Sequence, residues 1–232
     1  LQEALAGTGF KLSEPVWYGG NSTYENVAML ESQPAVQEAD VIFAVGGGRA
    51  VDTCKAVAEH LDKPLFTFPT IASNCAACTA IGVFYNADDT FKDYFYPSRC
   101  PEHTFLNTKI IAEAPESLLW AGIGDALSKE CEVELASRGE KLNHTTLLGT
   151  QLAHTCTDPL VQYGKAAMEQ CRANTPGYEL EQVALCIVIS TGIVSNLTVD
   201  PGQAYYYNSS LAHCVYYGAT LVPASGGHHL HG

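Results

Sequence analysis

The stretch DVIFAVGGGRAVDTCKAVAEHL (residues 40–61) decides the fold. Val41 to Val45 form an apolar run rich in β-branched and aromatic residues, as a buried strand requires. Three glycines follow it. Beyond them Ala50, Val51, Cys54, Val57, Ala58 and Leu61 recur at helical spacing and would share one helix face. Strand, glycine turn and helix in that order make one unit of an α/β protein. A turn of this kind lets a pyrophosphate approach the backbone, where free N–H groups and the helix dipole favour an anion. Gly46, Gly47 and Gly48 would form that cradle, with Arg49 at the helix entrance. Val51 stands at the third glycine position of the G-x-G-x-x-G fingerprint, so a plain strand-to-helix connection remains an equal reading.

Working outward, further strand-like runs precede Pro115. They are PVWYGG (15–20), PLFTFPT (64–70), the pair AIGVFYN (80–86) and TFKDYFY (90–96) around the turn Ala87-Asp88-Asp89, and EHTFLNT (102–108). Strands alternating with helices predict a largely parallel, doubly wound sheet. After Pro115, a favoured first-turn residue followed by Glu116, the pattern turns helical. Helices are expected in PESLLWAG (115–122), GDALSKECEVELASRG (124–139), TTLLGTQLAHTC (145–156), PLVQYGKAAMEQCRA (159–173), LEQVALCIVISTGIVSN (180–196) and NSSLAHCVYYGATLV (208–222). The expected organisation is a Rossmann-like dinucleotide-binding domain over residues 1–114 and the first part of an all-helical domain over 115–232.

The 232 residues suffice for a real core, and 47% hydrophobic with 16% charged residues is a soluble composition. A net charge of −13 argues against nucleic acid as a partner and against multiply phosphorylated substrates. No apolar run reaches the roughly 18 residues that span a bilayer. The start LQEALAGTGF lacks the marks of a secretory signal, so the cytoplasm is the expected compartment, with no membrane partner. Nine cysteines, an odd number scattered through apolar stretches, read as small buried hydrophobes in a reducing compartment.

FPTIASNCAACTAIGVFY (68–85) places Thr70, Ser73, Asn74 and Thr79 just past the carboxyl end of a strand, where open α/β sheets bind ligands. Cys75 and Cys78 form a lone C-x-x-C without a second pair or a redox context, which favours neither zinc nor thioredoxin chemistry. The helical half offers a spread-out metal set, since a catalytic zinc or iron takes about three protein ligands. Asp125 would lie between a Gly122-x-Gly124 break and a helix, His213 sits on an apolar helix, and SGGHHLHG (225–232) adds His228, His229 and His231. Each has a plainer alternative. Asp125 could pair with Lys129 at i+4, His213 could be a hydrogen-bonded core residue, and the terminal histidines could be a tag remnant.

Together, AVGGGRAVDTCKAVA, FPTIASNCAACTAIGVFY, PESLLWAGIGDALSKECEVE, AHCVYYGA and HHLHG resemble the iron-containing (group III) alcohol dehydrogenase family, in its glycerol dehydrogenase branch, from about Val16 to Gly232. The resemblance implies a dinucleotide-binding domain facing a helical domain across a cleft that holds a divalent metal, zinc ahead of iron. It places the pyrophosphate of NAD, with NADP also open, on Gly46, Gly47, Gly48 and Arg49, with further cofactor contacts at Thr70, Ser73, Thr79, Ile81 and Tyr85. It assigns the metal and the catalysis to Asp125, His213 and His231, leaving His228 and His229 as bystanders. The expected activity is hydride transfer between a small alcohol, polyol or ketone and nicotinamide, in a protein that is a homo-oligomer at full length.

Two departures stand out. Cys75 occupies the position at which glycerol dehydrogenases carry a polyol-binding Asp, and a thiol does not accept hydroxyl hydrogen bonds as a carboxylate does. Relative to the family, about one strand-helix unit at the start and most of the helical domain at the end are expected to be missing. Alternatives are a dehydroquinate synthase-like NAD and metal lyase, a glycerol-phosphate dehydrogenase, and a fragment that binds nucleotide without catalysis. The first two call for several Lys and Arg residues, and the motif regions supply chiefly Arg49 and Lys129.

Overall fold

The computed structural model describes residues 2–199, 207–222 and 230–231. Ahead of the sheet lie α1 (Gln2–Leu5), α2 (Tyr24–Glu31) and α3 (Pro34–Gln37). The quoted unit then folds as read, into β1 (Ile42–Gly46) followed by α4 (Gly48–His60). Strand β2 (Leu65–Pro69) lies parallel to β1 with Ile42 opposite Leu65, and the short β5 (His103–Thr104) adds in parallel to the other edge of β2. Pleating sends Ile42, Ala44 and Leu65 to one face, where they pack with Val51 and Ala58 of α4. The alternate residues Phe43, Phe66 and Phe68 meet Phe105 on the opposite face, with centroids 4.8 to 6.2 Å apart between neighbouring rings.

Strands β3 (Gly82–Tyr85) and β4 (Phe91–Phe95) pair with each other as an antiparallel hairpin outside the parallel sheet. Phe84, fully buried, joins the hairpin to Val27 and Leu30 of α2 and to Ala56 and Val57 of α4, with the Tyr24 ring stacked on it at 4.4 Å. A polar tie reinforces this packing. Lys55, buried on α4, donates to Asp52 Oδ1 at 2.9 Å, Thr79 Oγ1 at 3.1 Å and the Ile81 carbonyl at 2.5 Å, while the Val83 N–H donates to Asp52 Oδ2. The expected strand in PVWYGG does not form. Its residues join no strand ladder among the described residues, Trp17 is exposed, and Gly19 and Gly20 at φ +97° and +89° turn the chain instead. Its β-branched and aromatic content has no neighbouring strand to satisfy it.

The described residues beyond β5 are mostly helical. Elements α5 (Thr108–Glu113), α6 (Glu116–Ser137), α7 (His144–Ala153), α8 (Asp158–Arg172), α9 (Tyr178–Leu185), α10 (Thr191–Thr198) and α11 (Leu211–Thr220) follow one another, with a π-helical turn over Cys186–Ser190 joining α9 to α10. Leu119, Ala126 and Val133, spaced at sevens along α6, face a core shared with Leu160, Ala167, Leu180, Val183, Ile187 and Val194. The joined run Tyr178–Thr198 contains an 18-residue window with a mean hydropathy of 1.6 and is long and apolar enough to cross a membrane by length and composition. That corrects the reading that no stretch reaches this length, although the apolar side of the run is spent on the helical core.

Candidate metal centre

α6 is a single helix of 22 residues, and Asp125 stands in its middle. The expected glycine break before Asp125 is absent. Gly122 serves a packing contact instead: a Cβ there would lie 2.1 Å from the backbone oxygen of Ala72, so only glycine lets α6 approach the loop after β2 this closely. Asp125 therefore projects from a rigid, braced helix whose core-facing residues are Leu119, Ala126 and Val133. It meets His213, in the first turn of α11, and His231, and the ligand atoms of the three residues lie within 4.8 Å of one another. Asp125 Oδ1 is 3.1 Å from His231 Nδ1 and 3.8 Å from His213 Nε2.

The donor set fits a divalent cation. One carboxylate oxygen and two imidazole nitrogens are a ligand combination typical of zinc or iron sites. His231 Nδ1 is buried without a hydrogen-bond partner among the described residues, although Asp125 Oδ1 lies 3.1 Å away as an ion-pair contact. Such an orphaned atom is costly unless something coordinates it. Burial by itself would raise the Asp125 carboxyl, but His231, His213 and Lys129 nearby bring it down to about 2. Burial would likewise lower the His231 imidazole, which the Asp125 carboxylate instead holds above its ordinary value. The centre is thus a concentrated polar cluster in which the Asp125 carboxyl is held ionised. The alternative partner Lys129 turns away from Asp125 and donates to the Asn208 carbonyl and to Asn208 Oδ1, both at 3.0 Å.

Glu132 escaped the sequence reading. It lies seven residues beyond Asp125, two turns on along the same helix face, and is almost wholly buried. Its Oε2 is 2.5 Å from His213 Nδ1, and its Oε1 accepts the backbone N–H groups of Ser210 and His213 at 2.9 and 3.0 Å. Burial opposes its ionisation, yet the hydrogen bond and charge of His213 hold it down to about 2. The spacing Asp-x6-Glu on a helix with a seven-residue core repeat was the available signal.

A cleft of about 540 Å³ is lined at one end by Asp125, His213 and His231 and at the other by Gly47, Gly48 and Arg49. Ser73, Cys75, Thr79, Ile81 and Tyr85 also line it, whereas Gly46 and Thr70 do not. Gly46, at φ +151°, ends β1 and its carbonyl accepts the Thr70 N–H at 3.1 Å, so these two shape the turn. The loop carrying Ser73 and Cys75 is anchored from below by Thr67 and Thr104, whose hydroxyls donate to the Ala77 carbonyl at 2.7 and 2.8 Å. Thr79 and the Ile81 carbonyl are engaged by Lys55. Arg49 is held by Asp89 at 2.9 Å and lies 4.9 Å from the centroid of the Tyr85 ring.

Cys75 Sγ is 3.7 Å from Ser195 Oγ on the cleft wall, whereas Cys78 Sγ donates to the Val188 carbonyl, so the C-x-x-C does not act as a pair. All nine cysteines are free. His228 and His229 lie outside the described residues.

A family model described as iron-containing alcohol dehydrogenase matches residues 1–108. A glycerol dehydrogenase of Thermotoga maritima is 34% identical over 209 residues, which cover 88% of this chain and 55% of that protein. One from Pseudomonas putida is 32% identical over 236 residues, covering 100% of this chain and 62% of that protein. The crystal structure of a probable glycerol dehydrogenase from Sinorhizobium meliloti superposes with a TM-score of 0.80 at 26% identity, over 92% of this chain and 59% of the other. The chain thus spans 55% and 62% of the length of these two curated relatives. By these likenesses and by its α/β-then-helical architecture, the chain belongs to the iron-containing alcohol dehydrogenase family.

Proposed function

We propose that the protein carrying this chain is a metal-dependent, NAD(P)-linked alcohol or polyol oxidoreductase. In this reading residues 1–114 bind the dinucleotide and residues 115–232 contribute the metal ligands. The observation that carries it is the shared cleft, with a glycine turn at one end and a carboxylate with two histidines at the other. Its relatives named glycerol dehydrogenase support the same class.

Asp125, His213 and His231 would hold the cation, and zinc is the ion proposed. The two bound groups supply what side chains lack: Lewis acidity toward an alcohol or ketone oxygen, and a nicotinamide that accepts or gives hydride. The chain's own part is placement. Gly47 and Gly48, at the start of α4, offer close approach and unpaired N–H groups to a pyrophosphate. Arg49, spanned between Asp89 and Tyr85, keeps its charge beside that turn. Cys75, next to Ser195, faces the substrate end of the cleft and accepts hydrogen bonds poorly, which disfavours glycerol itself and favours a less polar alcohol or ketone. The sole Lys and Arg residues among the described lining residues are Arg49 and Lys129, each already engaged, which weighs against a phosphorylated substrate.

Metal analysis of the full-length protein, joined to NAD(H)- and NADP(H)-coupled assays over polyols, simple alcohols and ketones, tests this reading. His213→Ala should bring metal-dependent activity to background while leaving nucleotide binding in place. Full activity in protein stripped of metal would overturn the proposal.

A further inference from the structure

We infer that Glu132 is a positioning residue for the metal centre, fixing the ring of His213 so that its Nε2 is the nitrogen offered to the cation. The inference rests on the metal reading proposed above and deepens it.

His213 has two ring nitrogens, and the protein uses them differently. Nδ1 faces Glu132 Oε2 at 2.5 Å, while Nε2 points toward Asp125 Oδ1 at 3.8 Å and leaves room between them. An ionised carboxylate accepts but cannot donate, so the proton of neutral His213 resides on Nδ1 and the lone pair on Nε2. A carboxylate behind a ligating histidine also raises its basicity.

The same carboxylate fixes the backbone that carries the ring. α11 has no side-chain cap of its own from Ser210. Glu132 Oε1 takes the N–H groups of Ser210 and His213 instead, two of the donors that a helix start leaves unsatisfied. The Ser210 hydroxyl donates to the Glu132 carbonyl at 3.3 Å and the Ser128 hydroxyl to Glu132 Oε2 at 3.2 Å. Because Glu132 and Asp125 share one helix, α6 carries a ligand and also sets the position of a second ligand that is distant in sequence.

The test uses full-length protein stripped of metal, titrated with Zn2+ against a competing chelator and with Co2+ followed by visible absorption. Thermal unfolding without metal runs alongside. Glu132→Ala should weaken Zn2+ affinity by about 10- to 100-fold and change the Co2+ spectrum. Glu132→Gln, whose amide oxygen still accepts from Nδ1, should weaken it less, and it carries the test if the alanine variant fails to fold. Nucleotide affinity should not change in either variant. Wild-type Zn2+ affinity in the glutamine variant and in any folded alanine variant would overturn the inference and leave Glu132 as a helix cap, provided His213→Ala still loses the metal. Equal Zn2+ affinity in wild type and His213→Ala would show that the underlying metal reading had failed.

Discussion

The two ends of the cleft are built in opposite ways. The glycine end comes from contiguous chain: β1, three glycines and α4 lie within residues 42–60, and what they offer a ligand is backbone. The metal end gathers Asp125, His213 and His231 from sites up to about a hundred residues apart, and what it offers is side-chain ligand atoms. Local geometry supports the first, whereas the second depends on the packing of α6 against its neighbours and on the placement of α11. Function is therefore most fragile at one end and stability at the other.

The largest effect expected is at the metal end, where His213→Ala should remove metal-dependent activity but leave the fold, because the residue is an orienting ligand rather than a member of the apolar core. Unchanged metal content in that variant would break the contrast. At the glycine end Lys55→Met should act on stability instead. It strands the buried Asp52 carboxylate and frees the Thr79 and Ile81 acceptors, a loss of roughly 3–5 kcal/mol in urea unfolding. A stability change below about 1 kcal/mol would show that the hairpin is held by Phe84 alone.

Acid should expose the metal end of metal-free protein. The folded pKa values of Asp125 and Glu132 are depressed to about 2, so the stability they lend is present above their ordinary values near 4 and is lost as pH falls toward 2. The Asp125 share amounts to about 2 kcal/mol, measurable as a drop in unfolding midpoint that Asp125→Asn removes from the pH profile. His231 works in the other direction. Its raised folded pKa contributes below its ordinary value of 6.5, and that contribution is lost as pH rises through the raised value. The smallest effect belongs to Arg49→Ala, whose half-exposed pair with Asp89 should cost less than about 1 kcal/mol by thermal unfolding. A larger loss would make Arg49 a structural strut of the β3–β4 turn.

Much of this could be read along the chain. The unit at residues 40–61 and the β3–β4 hairpin fold where periodicity and turn residues put them, because both signals are local. PVWYGG misled because strand formation needs a partner edge, which no property of six residues can supply. Gly122 reads along the chain as part of a break before Asp125, yet it clears space for the Ala72 carbonyl, a contact made by chain some fifty positions away. Glu132 was overlooked because its partners, His213 and Ser210, are remote in sequence, and nothing in its own neighbours along the chain points to them.

By itself the sequence determined the order of elements, the glycine turn and the residue types able to hold a cation, since these follow from side-chain periodicity and chemistry carried by single segments. Only the tertiary structure decided that Asp125 faces two histidines rather than Lys129, that Cys75 meets Ser195, and that one buried glutamate orients the His213 ring. Hydrogen bonds and ion pairs act over a few ångströms, and which groups come that close is fixed by the packing of whole helices, not by their separation along the chain.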